Sequence, residues 1–368
     1  MEFIKGFDVS TLPEVERRGG VFRDGGEAED ALAILKRYGG NWIRLRLWND
    51  PYDGSGGDYG AGVCDLATVL ALARRAKSLG MDWLLDLHYS DFWADPGKQR
   101  VPKAWRDLSV PELEKAVYQY TKDVLCACRA AGTLPGIVQV GNEVTNGLLW
   151  PTGQISNRET MYRYIMSGVR AVREELPRAR VMIHLDNGGR NDLYRGWFDQ
   201  YFRHGGECDI IGLSYYPFWQ GPLRGLAANM NDLAVRYGKD LVVAETSMAF
   251  TLEDYAEKER LSGGLRKGAA ATAQLCACVP FPITPRGQAE YTAELLRVLR
   301  NVPEGRGKGL FWWEAAWIPV PDVGWATQSG WEYAREKGPG GNEWANQALF
   351  DYDGNALPAL AVIRDHQQ

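Results

Sequence analysis

The stretch IVQVGNEVTNGLLWP, residues 137–151, begins as a buried strand and stops abruptly at polar residues. Its first residues are the apolar, β-branched kind typical of a strand covered on both faces. Asn142 and Glu143 follow directly. A carboxylate in that place could cap a helix or be solvated, or it could be an acid at the mouth of a pocket. The other apolar runs of the chain bear on this choice.

Seven further runs of the same kind recur, and together with 136–143 they predict eight strands: FIKGFDV (3–9), NWIRLRLW (41–48), MDWLLDLHY (81–89), RVMIHLD (180–186), CDIIGLSYY (208–216), DLVVAET (240–246) and KGLFWWE (308–314). Helical patterns separate them, among them 29–39, 65–80, 111–132 and 287–302. Strands that alternate with helices favour parallel βαβ units, and eight units predict an α/β fold of the (β/α)8 (TIM) barrel type. No linker divides the chain, so we expect one domain over residues 1–368.

The predicted connections are unequal in length. Those from helix to strand are short, whereas several from strand to helix are long: 49–64, 89–110, 144–157, 251–286 and 315–341. Loops this long in a compact domain usually have a binding role. In a barrel they all emerge at the carboxyl ends of the strands, where active sites are built. The asymmetry therefore predicts a deep groove on that face.

The composition excludes several classes of partner. A formal net charge of -5 gives no basic surface for nucleic acid. No stretch approaches the roughly 18–20 apolar residues of a membrane helix, so we expect no membrane partner. The first residues, MEFIKGFDVS, lack the pattern of an export signal. We expect a cytoplasmic protein for the sequence as given, and a secreted one if a signal peptide precedes it in nature.

The six cysteines do not indicate a metal site. Cys126 and Cys128, like Cys276 and Cys278, are spaced C-x-C with no histidine nearby. A chain of 368 residues also needs no disulfides to hold its core together. We expect reduced thiols, no bound metal, no cofactor and a monomer.

Polar and charged residues gather where the predicted strands end: Arg44, Arg46, Asp86, His88, Asn142, Glu143, Asp186, Tyr215, Glu245 and Glu314. A single polar residue at a strand end could be a helix cap. So many of them at one end of a barrel favour a common site on which these side chains converge. Two carboxylates flanking a bond are the minimal apparatus for glycoside hydrolysis. Glu143 and Glu245 end strands 4 and 7, which face each other across the barrel. From the residues alone, Glu314 and Asp186 remain alternatives.

Several motifs together resemble glycoside hydrolase family 53: FIKGFDVSTLPEVE, NWIRLRLWNDPYDG, DLHYSDFWADPGKQRVPKAW, VGNEVTNGLLWP, IHLDNGG, GLSYYPFW, VVAETS and FWWEAAW. The likeness runs from about Phe3 to NQALFDYDGNALPAL, near the end of the chain. The "NE" pair is shared by the whole clan A of retaining glycosidases, whereas DLHYSDFWADP, GNEVTNGLLWP and GLSYYPFW are specific to the family. Members are arabinogalactan endo-β-1,4-galactanases.

The resemblance implies a role for each matching position. Glu143 resembles the acid/base and Glu245 the nucleophile. Asn142 is similar to the asparagine that contacts the sugar 2-hydroxyl, Tyr215 to the tyrosine that holds the nucleophile, and Arg46, chosen over Arg44, to the arginine beneath it. The other predicted substrate-binding residues are His88 and Trp313 at the cleaved sugar, Trp93 and Trp317 as stacking platforms or core residues, and Asp186.

One loop departs from the family pattern. Several bacterial members bind Ca²⁺ in an Asp- and Gly-rich loop after strand 7, but the loop 251–286 here carries Lys258, Arg260, Arg266 and Lys267. Oxygen ligands are scarce in it, so we expect no calcium there. The tryptophan-bearing loop 324–341 is expected either to line the groove or to pack on the barrel top.

These observations predict a retaining endo-β-1,4-galactanase acting on galactan or arabinogalactan. The alternatives are another clan A enzyme, such as an endo-mannanase or an exo-β-galactosidase, and a non-catalytic carbohydrate-binding barrel. We further expect the residues 148–150 and the charge of Glu245 to raise the pKa of Glu143, and Arg46 and Tyr215 to lower the pKa of Glu245.

Overall fold

The computed structural model describes residues 2–258, 268–336, 338 and 340–366, and a closed barrel of eight parallel strands forms its centre. The strands are β1 (Ile4–Asp8), β2 (Trp42–Leu47), β3 (Asp82–Leu87), β4 (Ile137–Val140), β5 (Arg180–Leu185), β6 (Ile210–Ser214), β7 (Asp240–Thr246) and β8 (Gly307–Trp312). Each strand pairs with its neighbours in the sequence, and β1 closes the barrel against β8. The predicted (β/α)8 fold is confirmed.

In the part of the chain that the structure describes, eight helices surround the barrel: α1 (Ala31–Arg37), α2 (Leu66–Ser78), α3 (Val110–Ala130), α4 (Arg158–Glu175), α5 (Asn191–Arg203), α6 (Leu223–Tyr237), α7 (Pro285–Arg300) and α8 (Pro358–Asp365). Local sequence fixes several of their ends. The Asp65 side chain accepts from the Thr68 N–H at the start of α2, and Ser109 with Glu112 forms a capping box at the start of α3. Gly238 adopts the left-handed conformation that ends α6. None of the described helices is long and apolar enough to span a membrane.

The barrel interior is layered. At the amino-terminal end of the strands a closed apolar cluster fills it: Ile4, Trp42, Leu84, Ile137, Met182, Ile210, Val242, Ala244 and Phe311. Because side chains alternate across a strand, the inward residues of the next layer are two positions further along. They are polar in four strands: Arg44, Asp86, Gln139 and His184, each at most 1% exposed. The interior therefore changes from apolar to polar toward the carboxyl ends.

The long strand-to-helix connections lie at this polar end and carry short elements of their own. They include a two-stranded hairpin (Phe22–Asp24 with Glu27–Glu29) and the short helices Leu12–Arg17, Pro217–Gln220, Ala273–Cys276 and Gln328–Ala334. The segment Gln328–Ala334 is held to the loop after β2, because Ser329 Oγ donates to Asp53 Oδ2 at 2.7 Å. The loops thus form the walls above the polar end of the barrel.

Candidate active site

A cavity of about 380 Å³ opens at the carboxyl ends of the strands. Eight of the ten side chains predicted for the site line it: Arg46, His88, Trp93, Asn142, Glu143, Asp186, Glu245 and Trp313. Tyr215 and Trp317 do not line it. Arg44, one of the polar residues at the predicted strand ends, also lines the cavity, as does Trp325 of the loop 324–341. The other lining residues were not predicted: Ala94, Asp95, Pro96, Tyr216, Trp219, Gln220, Ala270, Glu343 and Trp344. Most of the polar residues at the strand ends therefore converge on one cavity, and the exceptions are Asp86, Tyr215 and Glu314.

Glu143 reaches the cavity through a sharp turn after β4. Gly141 has φ +83° and Glu143 itself has φ 47°, both in the left-handed region. A side chain at Gly141 would come within 2.6 Å of Val144, so the turn needs a glycine there. The turn ends β4 three residues before the predicted end and directs the Glu143 carboxylate to the cavity. The expected continuation of the strand to residue 143 is therefore wrong.

The surroundings of Glu143 favour its protonated form. Burial raises the pKa of Glu143 well above its ordinary value, and the charges of Glu245 and Asp186 raise it further. One hydrogen bond opposes this shift, donated by Ser214 Oγ to Glu143 Oε1 at 2.6 Å. Among the described residues no lysine or arginine forms an ion pair with Glu143. The expected rise in its pKa is thus supported by the geometry.

Glu245 enters the cavity because β7 contains an irregularity. Val242 and Ala244 both belong to the inner apolar cluster, so strict alternation would turn Glu245 outward. The pairing of β6 with β7 shifts after Leu213, however, and Ser214 pairs with Glu245. A bulge of this kind redirects a side chain, here into the barrel.

Both oxygens of the Glu245 carboxylate are held by donors. Arg44 Nη1 lies 2.9 Å from Oε1, and the Tyr216 hydroxyl donates to Oε2 at 2.9 Å. Burial nevertheless raises the pKa of Glu245 to about 7, and Asp86 and Asp8 add to the rise while Arg44 and Tyr216 oppose it. The expected lowering of this pKa is therefore wrong, because desolvation and two neighbouring carboxylates outweigh the arginine. Glu245 still has the cation that Glu143 lacks, so Glu245 ionises first.

Arg44, and not Arg46, contacts the nucleophile candidate. Arg44 on β2 lies opposite Asp8 on the neighbouring strand β1. Its guanidinium forms ion pairs with Asp8 Oδ2 at 3.0 Å and with Asp86 Oδ2 at 2.7 Å. Arg46 lies one layer nearer the rim, where it forms an ion pair with Glu314 and donates to the Ala61 carbonyl at 2.8 Å. The predicted contact of Arg46 with Glu245 is wrong, although Arg46 lines the cavity. The alternation of side chains along a strand could not show which arginine contacts Glu245, because it places both on the inner face.

The tyrosine that holds Glu245 is Tyr216, and the predicted contact from Tyr215 is wrong. The inner face of β6 runs through Ile210 and continues every second residue to Ser214 and Tyr216. Tyr215 consequently points outward, where its hydroxyl donates to the Gly221 carbonyl at 2.6 Å. Alternation counted from Ile210 would have predicted this difference.

Asn142 and His88 are held rigidly beside the two carboxylates. Asn142 Oδ1 accepts from Arg44 Nη2 at 2.8 Å and its Nδ2 donates to the Ala94 carbonyl at 2.9 Å. His88 Nδ1 accepts from the Trp48 indole at 3.2 Å, so its Nε2 is free to donate to Asp86 Oδ2 at 3.1 Å. Both side chains thus meet the cavity in fixed orientations, as a sugar-contacting role requires.

The tryptophans divide into lining and core residues. Trp313 lines the cavity and packs edge-on against Trp344, with ring centroids 4.6 Å apart. Trp93 also lines it, but Trp325 stacks on its ring at 4.2 Å and the Arg46 guanidinium lies 4.2 Å from its centroid. With 5% of Trp93 exposed, little of its face is left for a sugar. Trp317 is fully buried and packs beneath Trp325, so of the two roles that the sequence left open it has the core role and not that of a platform.

The loop 324–341 lines the cavity at Trp325, whose carbonyl accepts from the Trp93 indole at 3.0 Å. Trp219 and Trp344 lie at another part of the lining, and Trp219 is 51% exposed. Aromatic rings presented at a cavity rim can stack on sugar rings. The family motif YYPFW contained Trp219, but its role in the lining was not predicted.

Asp186 lines the cavity beside Glu143. Its carboxylate accepts hydrogen bonds from the Thr145 hydroxyl and the Asn187 amide. Burial raises its pKa, and its charge contributes to the raised pKa of Glu143. Glu314, the other alternative from the sequence, is fully buried against Arg46 and does not line the cavity. Position therefore excludes Glu314, whereas Asp186 lines the same cavity as Glu143 and Glu245.

Within the described parts of the chain, no group of three or more His, Cys, Asp or Glu is arranged to hold a metal ion. In the loop 251–286, Lys258 pairs with Asp353. Arg260, Arg266 and Lys267, on which the calcium prediction depended, lie outside the described residues. The absence of calcium from this loop stays a prediction.

The chain is similar to proteins that degrade galactan. Residues 4–363 match the model of glycosyl hydrolase family 53. The endo-beta-1,4-galactanase of Bacillus subtilis (strain 168) is 38% identical, over 99% of this chain and 86% of the relative. The solved GH53 catalytic domain of Ignisphaera aggregans is 39% identical with a TM-score of 0.90, covering 99% of this chain and 96% of that one.

A second solved structure, from work on two fungal beta-1,4-galactanases, is 28% identical with a TM-score of 0.80, over 99% of this chain and all of that one. The family model spans nearly the whole chain, and the relatives agree with it in fold and in length. The resemblance predicted from the motifs is confirmed. This chain belongs to glycosyl hydrolase family 53.

Proposed function

We propose that this protein is a retaining endo-β-1,4-galactanase in which Glu143 is the acid/base and Glu245 the nucleophile. The observation that carries the proposal is the unequal environment of two carboxyl groups in one cavity. Glu245 is held by Arg44 and Tyr216, whereas Glu143 has a single hydroxyl donor and three carboxylate neighbours that raise its pKa. The pair therefore offers one ionised and one protonated carboxyl group near neutral pH.

In the first step the Glu245 carboxylate attacks the anomeric carbon while the Glu143 proton passes to the glycosidic oxygen. The bond between that oxygen and the anomeric carbon breaks, and a glycosyl ester forms on Glu245. The ester is neutral, so the contribution of the Glu245 charge to the raised pKa of Glu143 disappears. The Glu143 carboxylate can then take a proton from water, which attacks the anomeric carbon and releases Glu245.

Galactan is the proposed substrate because relatives that align over nearly the whole chain are named endo-beta-1,4-galactanases. The cavity supports a carbohydrate of some length, since it is lined by the aromatic side chains of Trp219, Trp313 and Trp344 beyond the two carboxylates. Arg44, Asn142 and His88 supply fixed polar groups for the sugar bound at the point of cleavage.

The test is the early product pattern on linear β-1,4-galactan, on β-mannan and on an aryl β-galactoside, separated by thin-layer chromatography. We expect galacto-oligosaccharides of several lengths in the first minutes and no cleavage of mannan. Galactose as the sole early product would indicate an exo-β-galactosidase instead. Cleavage of mannan in preference to galactan would indicate a mannanase, and no cleavage of any of the three would favour a binding protein.

A further inference from the structure

The loop after β3 binds both ends of the chain segment 142–150, which begins with Asn142 and Glu143. Gln99 Nε2 donates to the Asn142 carbonyl at 2.7 Å, and the Gln99 carbonyl accepts from the Trp150 N–H, also at 2.7 Å. Gln99 is 1% exposed and does not line the cavity. It can therefore act on a substrate only through the residues that it holds.

The orientation of the Gln99 amide follows from its neighbours. Nε2 lies 3.2 Å from the Asp95 carbonyl and 2.7 Å from the Asn142 carbonyl. A backbone carbonyl oxygen can only accept, so the amide nitrogen, with its two hydrogens, must face both of them. Gln99 Oε1 is buried and has no hydrogen-bond partner among the described residues. The side chain thus directs its hydrogen bonds to these two carbonyls.

The bond to Asn142 fixes a peptide plane beside an unusual backbone conformation. The Asn142 carbonyl belongs to the peptide group that contains the Glu143 nitrogen. Glu143 has φ 47°, in the left-handed region that residues other than glycine rarely adopt. Such a conformation persists where surrounding contacts hold it. Because φ relates the peptide plane to the Glu143 side chain, Gln99 helps to set the direction in which that side chain leaves the backbone.

Asn142 and Glu143 differ in what else holds their side chains. The Asn142 amide is bound on both sides, by Arg44 Nη2 at 2.8 Å and by the Ala94 carbonyl at 2.9 Å. The Glu143 carboxylate has one hydrogen bond, from Ser214 Oγ. Loss of the bond from Gln99 should therefore displace the Glu143 carboxylate more than the Asn142 amide.

We propose that Gln99 is a positioning residue that holds Glu143 at the glycosidic oxygen of the substrate. This inference rests on the proposed role of Glu143 as the acid/base. An acid must lie within hydrogen-bond reach of the oxygen that it protonates, and a displacement of about 1 Å can lower a rate about 100-fold. Glu245 is bound instead by Arg44 and Tyr216. Removing the Gln99 amide should weaken proton donation and leave nucleophilic attack in place.

The test is the dependence of kcat/KM on the leaving group, measured with aryl β-glycosides of β-1,4-galactotriose. A dinitrophenol departs without a proton, whereas unsubstituted phenol requires one from Glu143. Gln99→Met keeps a side chain of similar length and removes both amide donors. We expect it to lose about 10- to 100-fold in kcat/KM with the phenyl glycoside and little with the dinitrophenyl glycoside. A merely structural glutamine would lower both rates by the same factor.

Gln288 provides a matched control. It is fully buried, its Nε2 donates to the carbonyls of Met248 at 2.8 Å and Ala348 at 2.9 Å, and its Oε1 also has no partner in the described part of the chain. Gln288→Met therefore removes the same kind of amide from another place in the fold. Any loss of rate in this variant should be equal for the two leaving groups.

Glu143→Gln separates the role of Gln99 from the proposed role of Glu143. This variant has no carboxyl proton to donate, so its kcat/KM should depend steeply on the leaving group. A wild-type dependence in Glu143→Gln would refute the proposed acid and, with it, the role of Gln99. A steep dependence in Glu143→Gln together with a wild-type dependence in Gln99→Met would overturn the role of Gln99 alone, as would equal steepening in Gln288→Met.

Thermal melts show which of the compared variants are folded. If Gln99→Met does not fold, Gln99→Asn replaces it, because the shorter side chain draws the amide away from the Asn142 carbonyl. The same steep dependence is expected, and a wild-type dependence would overturn the role of Gln99. In the double variant, Gln99→Met should cost less with the phenyl glycoside when Glu143→Gln is already present, whereas a fully additive loss would contradict action through Glu143.

Discussion

Tyr216 offers the sharpest single perturbation of the nucleophile candidate, because an adjacent tyrosine provides its control. The Tyr216 hydroxyl donates to Glu245 Oε2 at 2.9 Å, whereas the Tyr215 hydroxyl donates to the Gly221 carbonyl. Tyr216→Phe and Tyr215→Phe each remove one buried hydroxyl from neighbouring positions of the same chain segment. Only the first removes a donor to Glu245.

The expected size of the effect follows from the contacts. A hydrogen bond to an ionised group contributes about 1.5–3 kcal/mol, which is about one to two pKa units at 1.36 kcal/mol per unit. Arg44 stays 2.9 Å from the other oxygen, so Glu245 keeps its cation. Burial already raises the pKa of Glu245 to about 7, and the loss of this donor should raise it further. Since attack requires the ionised form, kcat/KM should fall about 10- to 100-fold at pH values below the acid limb.

The assay is the pH dependence of kcat/KM on galactan for wild type and both variants. We expect the acid limb of Tyr216→Phe to move upward by about one pH unit or more, with a smaller loss on the plateau. Tyr215→Phe should keep the wild-type acid limb. An unmoved limb in Tyr216→Phe, or the same shift in both variants, would refute the assigned contact with the nucleophile.

Three further predictions concern the catalytic pair and the cavity lining. Glu245→Gln should lower turnover by several orders of magnitude. Glu143→Gln should still react with an activated aryl galactoside, and azide should rescue it. Azide rescue of Glu245→Gln with retained configuration would mean that the two roles are exchanged. Burial raises the pKa of Glu143 in the folded state, so the folded protein binds this proton more tightly than the unfolded chain does. The free energy of unfolding should therefore fall as the pH rises above about 4.3, the pKa of a glutamate in the unfolded chain. Glu143→Gln should therefore melt a few degrees above wild type at pH 8, and at the same temperature as wild type near pH 4. If the variant and wild type melted at the same temperature at pH 8 as well, the burial assigned to Glu143 would be contradicted. Trp325→Ala removes the ring stacked on Trp93, and such aromatic pairs contribute about 0.5–1.5 kcal/mol. KM for galactan should therefore rise about three- to tenfold, with less effect on kcat. An unchanged KM would show that the stacked pair does not shape the groove.

Much of the fold could be predicted because the pattern of apolar runs is regular. All eight predicted strands occur, and the apolar inner layer follows from alternation along each strand. The end of β4 differed because one glycine with positive φ turns the chain before Glu143. A left-handed residue is a local choice that periodicity does not reveal.

The candidate site was less predictable in its contacts than in its members. Arg44 and Arg46 are two residues apart, so strand alternation places both on the inner face of β2. The pairing register of β1 with β2 distinguishes them, because it places Arg44 opposite Asp8. The bulge that turns Glu245 inward is a property of strand pairing and does not appear in the local sequence. Tyr216, by contrast, could have been predicted from alternation along β6. Ser214 and Gln99 were missed because each is uncharged and becomes significant only through its hydrogen bond, to Glu143 and to Asn142 respectively.

The central claim is that Glu245 attacks the sugar directly and Glu143 protonates the leaving oxygen, so that two inversions give overall retention. Proton NMR of the first products released from β-1,4-galactan measures this outcome before the anomers equilibrate. The β-anomer should appear first at the new reducing ends, followed by slow growth of the α-anomer. First appearance of the α-anomer would mean that water attacks the galactosyl unit directly, and it would contradict the mechanism assigned to Glu245.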